Sequence, residues 1–185
     1  MADALVVIDI QNEYFSRGAL PLPGAEEAAA RAAEAIGAVR AAGLTVLHVR
    51  HEEVESEDWG FVPGSREAET HSSVAPIVGE AIVVKHQPNA FVGTDLAERL
   101  ESLGARRVAF CGMMTSMCVD ATVRAAADLG LDPLLLDDAC AAPDLVHRDR
   151  TVPAAEVHAA FCAALGDGVA TLADVAVFAA DPARS

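Results

Sequence analysis

Three side chains with complementary chemistry each lie at or just beyond the end of an apolar run in this sequence. Asp9 ends the first run, Lys85 ends the third, and Cys118 comes shortly after the fourth. A carboxylate can accept a thiol proton, an ammonium group can offset the resulting charge, and a sulfur atom can attack a carbonyl carbon. The sequence therefore predicts a nucleophilic unit made of Asp9, Lys85 and Cys118.

The surroundings of Cys118 favour this interpretation. An apolar strand stops at Gly112, and a helix carrying Cys118 near its first turn follows. Unpaired N–H groups and the positive end of the helix dipole lie at such a position, and we expect them to stabilise a thiolate and an oxyanion. Taken singly, Asp9 is also typical of a turn cap, Lys85 of a solvated strand end and Cys118 of a small buried side chain. Their common place at one sheet edge favours the catalytic interpretation.

Alternating strands and helices must position these three residues. Short β-type runs are followed by alanine-rich stretches with helical spacing, several of which end at glycine. The predicted strands are 4–8, 44–49, 81–84, 107–111, 133–136 and 169–172, and the predicted helices are 25–42, 94–103, 117–129 and 154–165. This order predicts an α/β fold in which helices cover both faces of a parallel sheet, a three-layer α/β/α sandwich.

Two longer segments, 50–79 and 138–152, are predicted to be loops at the rim of a pocket, because open α/β sheets bind ligands beyond the carboxyl ends of their strands. Five residues are candidates for the substrate-binding wall, although the aromatic ones are equally typical of core anchors. These candidates are Phe15, Arg50, His51, Trp59 and Phe91.

Composition limits the class of protein. The formal net charge of −15, with 13 basic and 28 acidic residues, argues against nucleic acid and anionic membranes as partners and leaves a small-molecule substrate or another subunit. No apolar run approaches the roughly 20 residues of a membrane span. We expect one domain over residues 1–185, a cytoplasmic location because no targeting pattern precedes the first strand, and four free thiols because no zinc-type cysteine spacing occurs.

Four ordered motifs carry a family resemblance over nearly the whole chain. They are Asp9 to Phe15, Lys85 with Ala90 to Leu96, Gly112 to Val119, and Asp137 to Cys140. With these motifs the chain resembles the isochorismatase-like cysteine hydrolases, a superfamily that includes nicotinamidases and N-carbamoylsarcosine amidohydrolase. The resemblance implies a Rossmann-like, six-stranded parallel sheet of order 3-2-1-4-5-6, in which the first and fourth strands are neighbours.

The resemblance also implies roles for individual residues. Asp9 would be the general base and later the acid, Lys85 the charge partner and Cys118 the nucleophile. A non-proline cis peptide would join Met113 to Met114, and the N–H groups of Met114 and Cys118 would bind the oxyanion. No cofactor is implied.

One departure concerns metal binding. Nicotinamidases of this superfamily carry an Asp-x-His pair after the second strand, whereas this chain has Leu47, His48 and Val49 before Arg50 and His51. The aspartate is missing, so we expect no metal site, and nicotinamide becomes a less favoured substrate.

The sequence therefore predicts a hydrolase that cleaves a C–N bond in a small amide, carbamoyl or ureido compound through a thioester on Cys118. The alternative within enzymes is vinyl-ether hydrolysis of the isochorismatase type, led by Asp9, which would survive Cys118→Ala. A binding protein without turnover is a second alternative, and a thiol-redox role with Cys140 is a third. Apolar surface on the alanine-rich helices and the habit of the family both favour a homodimer or homotetramer.

Overall fold

A parallel sheet forms the centre of the protein. The computed structural model describes residues 2–53 and 60–182. Its strands are β1 (Ala4–Ile8), β2 (Thr45–His51), β3 (Ala81–Lys85), β4 (Arg107–Met113), β5 (Asp132–Ala141), β6 (Leu145–His147), β7 (Arg150–Val152) and β8 (Thr171–Ala173). Six of them form one parallel sheet in the order β3-β2-β1-β4-β5-β8. Since β8 is its sixth strand along the chain, the predicted order is confirmed.

Helices flank this sheet. They are α1 (Ala25–Ala41), α2 (Leu96–Ser102), α3 (Asp120–Asp128), α4 (Ala154–Gly166) and α5 (Val175–Ala180). Helices α1 and α5 pack together, as do α3 and α4. The face of α1 that is turned inward is mostly alanine, and such small side chains let a helix lie close to the strands. The predicted three-layer α/β/α class is confirmed, and α5 is an element that the sequence pattern did not reveal.

The position of β1 explains why the site forms where it does. All five of its residues are buried and apolar, as expected of a strand covered on both faces. It pairs with β2 on one side and β4 on the other, so that Ile8 lies opposite both Val49 and Gly112. The strand order reverses between β1 and β4, because β2 and β3 lie on one side of β1 and the later strands on the other. In α/β sheets a ligand-binding crevice opens at this point.

Segment 138–152 differs from the predicted loop. Strand β5 continues to Ala141, and β6 and β7 then form an antiparallel hairpin. The pairing of β5 with β4 shifts between Leu135, opposite Phe110, and Cys140, opposite Gly112. The apolar run of β5 is interrupted at Asp137 within this irregularity, which is why the sequence pattern ended the strand too early.

Segment 50–79 is loop-like over most of the part that the structure describes. Strand β2 extends to His51, a short 3-10 turn covers Ser72–Val74, and Gln11 pairs with Thr70 in an isolated bridge. Among the described residues, no helix is both long and apolar enough to cross a lipid bilayer.

Candidate active site

Asp9 is held by its backbone in an unusual conformation. Its φ of 49° lies in the left-handed region, which aspartate tolerates better than most residues with a side chain. Its N–H donates to Val49 O at 3.0 Å, and its carbonyl accepts from Gln11 N at 2.9 Å. Strand β1 therefore ends in a turn at Asp9, and the Asp9 side chain is completely buried.

Lys85 lies at the centre of the site. Its Nζ is 2.7 Å from Asp9 Oδ2, 3.3 Å from Cys118 Sγ and 3.1 Å from His51 Nδ1. The ammonium group therefore has three partners, Asp9 as an ion pair and Cys118 and His51 within hydrogen-bond distance. The structure thus brings together the three residues that the sequence predicted as a unit, and the unit is buried.

Two opposing effects act on the pKa of the Asp9 carboxyl group. Burial raises its pKa above the ordinary 3.8, while the charge of Lys85 acts in the other direction. Neither carboxylate oxygen has a well-aligned hydrogen bond. Ion pairing with Lys85 therefore holds the carboxylate and leaves it able to accept a proton.

The surroundings of Cys118 favour the protonated thiol at rest. Burial raises its pKa to about 12, and the charge of Asp9 acts in the same direction, while Lys85 opposes them. The helical turn at Thr115–Val119 is a single π-turn that continues into α3. Burial and the nearby carboxylate thus outweigh the stabilisation of a thiolate expected from the start of a helix, and an attack by sulfur would require a base to remove this proton.

His51 supports Lys85 from β2. Because the lysine only donates, Nδ1 of His51 accepts and the ring proton lies on Nε2. Burial and the charge of Lys85 lower the pKa of His51, which keeps the ring neutral. Gln11 fixes the His51 backbone, since its Oε1 accepts from His51 N at 2.8 Å and its Nε2 donates to His51 O at 2.8 Å.

The segment before Cys118 has the geometry that the resemblance implied. The Met113–Met114 peptide is cis, as expected. Gly112 has a φ of 134° and no room for a Cβ against the backbone of Ile8. Thr115 follows, fully buried, with its Oγ1 3.0 Å from Nδ1 of His158 on α4.

A cavity of about 780 Å³ opens over Cys118. Its volume lies within the range of small-molecule sites. Most of the residues that line it are apolar or aromatic. They are Tyr14, Ala19, Leu20, Pro21, Leu22, His51, Glu53, Gly60, Phe61, His86, Gln87, Pro88, Met114, Met117, Cys118 and Pro143. Both residues expected to bind the oxyanion, Met114 and Cys118, belong to this wall.

Among the five residues expected to bind substrate, His51 lines this cavity and three others do not. Phe15 stacks on His71, with ring centroids 3.7 Å apart. Arg50 points to Glu52, 2.6 Å away, because alternate residues of β2 face opposite sides of the sheet. Phe91 lines a separate depression beside α2. Trp59 lies outside the described residues.

Several residues in or beside the cavity wall were not predicted from the sequence. Residues 19–22, Gln87 and Met117 line the cavity, and Glu13 supports it. The Oε1 of Glu13 accepts the Ala19 N–H at 3.1 Å, and its buried side chain lies against Gly60, which has no room for a Cβ. Their position shortly after Asp9, in and beside the first motif, was the available signal for Glu13 and for residues 19–22.

The residues considered for metal binding lie in separate networks. His48 Nε2 is 3.0 Å from Glu80 Oε2, whereas His51 Nδ1 accepts a hydrogen bond from the ammonium group of Lys85. Asp137, Asp138 and Asp174 bring carboxylate oxygens within 4.8 Å of one another. Within that group Asp138 caps the start of α5, because its Oδ1 accepts a hydrogen bond from the Val175 N–H.

Comparison with known proteins places this geometry in context. A family model, the isochorismatase domain, matches residues 3–175. A crystal structure described as an isochorismatase hydrolase, from Oleispira antarctica, has a TM-score of 0.93 and 45% identity and covers 97% of this chain and 96% of that chain. The uncharacterised isochorismatase family protein YddQ of Bacillus subtilis is 42% identical over 178 residues, covering 96% of this chain and 99% of that protein. The ureidoacrylate amidohydrolase RutB of Azorhizobium caulinodans is 28% identical over 180 residues, covering 78% and 79%.

Proposed function

The chain belongs to the isochorismatase family of hydrolases, and on that premise we propose that it hydrolyses a C–N bond in a small amide, carbamoyl or ureido compound through a thioester on Cys118. The observation that carries this proposal is the position of Lys85 Nζ, 2.7 Å from Asp9 and 3.3 Å from Cys118. A base and a cation thus meet a nucleophile that lines the cavity. The relative named as an amidohydrolase supports the choice of bond.

In the first half of the reaction Asp9 takes the proton of the Cys118 thiol as Sγ attacks the carbonyl carbon. The C–S bond forms, and the carbonyl electrons move to oxygen, where the N–H groups of Met114 and Cys118 stabilise the charge. The C–N bond then breaks, and Asp9 gives its proton to the departing nitrogen. Ammonia or an amine leaves, and the acyl group remains on Cys118 as a thioester.

The second half returns the enzyme to its starting state. Asp9, again a carboxylate, takes a proton from water as the water oxygen attacks the thioester carbon. The C–S bond breaks, and Asp9 returns the proton to sulfur as the acid is released. Lys85 remains an ammonium group throughout and offsets the negative charge that moves between carboxylate and sulfur.

Vinyl-ether hydrolysis remains the second candidate because burial raises the pKa of Asp9, a property that also suits a proton donor. The two reactions differ in their need for sulfur. In the thioester reaction Cys118 makes a covalent bond, whereas an Asp9-led reaction proceeds without it.

The test is a screen of primary amides, carbamoyl compounds and ureido compounds for ammonia release, with isochorismate assayed in parallel. Cys118→Ser should lower amide turnover by about a thousandfold or more, while Cys162→Ser, which changes a thiol of equal exposure, should leave it nearly unchanged. Isochorismate hydrolysis that survives Cys118→Ala, with no ammonia from any amide, would decide for the second candidate.

A further inference from the structure

The cavity over Cys118 has an uneven distribution of charge. Its wall is built mainly from aromatic and aliphatic side chains, with Tyr14 and Phe61 in edge contact at 5.2 Å and His51 and Phe61 at 5.4 Å. Its polar members in the described chain are few, and Glu53 is the formally charged one among them. Neither lysine nor arginine occurs among the described residues that line it.

The nearest cation is enclosed by other side chains. Lys85 is completely buried, lies outside the cavity wall and is surrounded by Asp9, Cys118 and His51. Its charge is matched by the carboxylate of Asp9, so the pair as a whole is neutral. A substrate carboxylate in the cavity would therefore find no free ammonium donor at its floor.

Other basic side chains near this edge of the sheet interact with Glu52, which does not line the cavity. Arg50 lies 2.6 Å from Glu52 and faces away from the cavity. His86 contributes Nδ1 to the carbonyl of Glu52 at 2.7 Å, so that nitrogen is a committed donor.

An acidic side chain also lies behind the wall. The carboxyl group of Glu13 is buried between Ala19 and Gly60, which both line the cavity. A carboxylate that leaves water needs a cation or several hydrogen-bond donors to offset the loss of hydration. An ammonium group, in contrast, is attracted by aromatic faces and by the carboxylate of Glu53.

From these observations we infer that the cavity selects amides whose acyl part is apolar and either uncharged or cationic, and that it excludes amides carrying a carboxylate. This inference rests on the proposed function, since it names the substrate class of the same site. Charge selection belongs to the wall, whereas bond cleavage belongs to Asp9, Lys85 and Cys118. The two claims can therefore be tested separately.

The test uses the charge of small alkylating agents and needs no known substrate. Rates of alkylation of Cys118 are measured by peptide mass spectrometry with iodoacetamide, iodoacetate and an iodoacetamide bearing an ammonium group. The same rates for N-acetylcysteine amide give the intrinsic reactivity of each agent. Work at about pH 8 keeps histidine side chains of ordinary pKa neutral.

The expected result is a ratio of iodoacetate rate to iodoacetamide rate that is lower at Cys118 than at the reference thiol by about tenfold or more. The cationic agent should react at least as fast as iodoacetamide after the same correction. A ratio equal to or above that of the reference thiol overturns the inference.

Three variants locate the origin of the effect. Gln87→Lys places a cation at the exposed mouth of the cavity and should raise the corrected iodoacetate rate several-fold, about three- to tenfold. Gln87→Met removes the amide at similar length without adding charge and should leave the ratio unchanged. Ser102→Lys adds the same charge on α2, outside the cavity, and should also have no effect. Equal gains from Gln87→Lys and Ser102→Lys would assign the effect to net charge and refute the role of the cavity.

The absolute rates report on the proposed function. If Cys118 reacts with iodoacetamide no faster than Cys162, the nucleophile proposal fails, whatever the charge ratio is. If Cys118 reacts rapidly with iodoacetate as well, the nucleophile survives and the charge selection fails.

Discussion

At the scale of single residues, Asp9 and Lys85 depend on each other. Both side chains are completely buried, and an isolated buried charge is strongly unfavourable. Two opposing effects act on the pKa of Lys85, because burial lowers it while the charge of Asp9 raises it, and the net direction is upward. The ion pair is therefore a condition for the fold as well as for the proposed chemistry.

A double-mutant cycle should show this dependence. Lys85→Met leaves the carboxylate of Asp9 buried without its cation and should lower the free energy of unfolding by about 3–5 kcal/mol. The double variant Asp9→Asn with Lys85→Met removes both charges and should recover much of that loss. Urea denaturation of the wild type, the two single variants and the double variant measures the coupling. Additive losses would show that the two charges do not depend on each other.

The pH dependence of activity should reflect Asp9 as the base. Since burial raises the pKa of Asp9 above 3.8 and the base must be ionised, kcat/KM should rise with pH along a limb whose midpoint lies above 3.8. His51→Gln should lower activity but leave this midpoint in place. A limb that disappears in His51→Gln would assign the titration to the histidine instead. The assay is a kcat/KM profile of ammonia release from about pH 3 to 8.

At the scale of elements, a polar network fastens α1 to the edge of the sheet. The carboxylate of Glu80, just before β3, accepts two hydrogen bonds from Arg40 on α1, one from Nε at 2.8 Å and one from Nη2 at 2.7 Å. The same carboxylate accepts from His48 of β2 and from the Ile77 N–H, each at 3.0 Å. One carboxylate thus joins a helix, a strand and a loop.

Glu80 should give the protein a stability that depends on pH. Hydrogen bonding to Arg40 lowers the pKa of Glu80 from 4.5 to about 2. A lowered pKa in the folded state means that the contribution is complete above pH 4.5 and is lost as the pH falls toward 2. With Arg40 30% exposed, we expect a difference of about 2 kcal/mol between wild type and Glu80→Gln at neutral pH.

The measurement is urea denaturation of both proteins at several pH values. The difference should shrink as the pH falls below 4.5, because the wild-type carboxyl then takes up a proton. Glu98→Gln on α2, whose side chain is not part of this network, is the matched control and should show little difference at any pH. A constant difference between wild type and Glu80→Gln would contradict the assigned role.

At the scale of the whole molecule, the sequence predicted most of what depends on pattern. Continuous apolar runs specify buried parallel strands, so the sheet and the common edge of Asp9, Lys85 and Cys118 could be foreseen. The wall of the cavity could not, because loop conformation decides which side chains face inward. Phe15 stacks on His71 and Arg50 pairs with Glu52, so neither lines the cavity. Residues 19–22 line it, although their sequence has no distinctive pattern.

The pKa shift of Cys118 could not be predicted from the sequence for a related reason. The helix start that follows Gly112 was visible in the sequence, but the depth of burial and the distance to the carboxylate of Asp9 were not. These two quantities set the direction of the pKa shift. They depend on how β1 and β4 pair, which is a property of the assembled sheet.

The oligomeric state remains a prediction at this scale. We expect a homodimer or homotetramer, and large apolar side chains such as Ile77, Val78 and Val92 are more than half or about half exposed. Sedimentation velocity at micromolar concentration should give a mass of two or four times 19.2 kDa. A single species of 19.2 kDa would contradict the expectation.

The proposed chemistry requires that Cys118 be an activated nucleophile, and the relative alkylation rates of the four cysteines test this most directly. Iodoacetamide is applied to the native wild type, to Asp9→Asn and to Lys85→Met, and each cysteine is followed by peptide mass spectrometry. All four thiols are buried, and the urea-unfolded protein supplies their intrinsic rates. Because Asp9 can take the thiol proton as sulfur attacks, we predict that Cys118 reacts well ahead of Cys111, Cys140 and Cys162 in the native wild type and loses this lead in both variants. A Cys118 that is no faster than the other three, and unaffected by either substitution, would contradict the thioester mechanism.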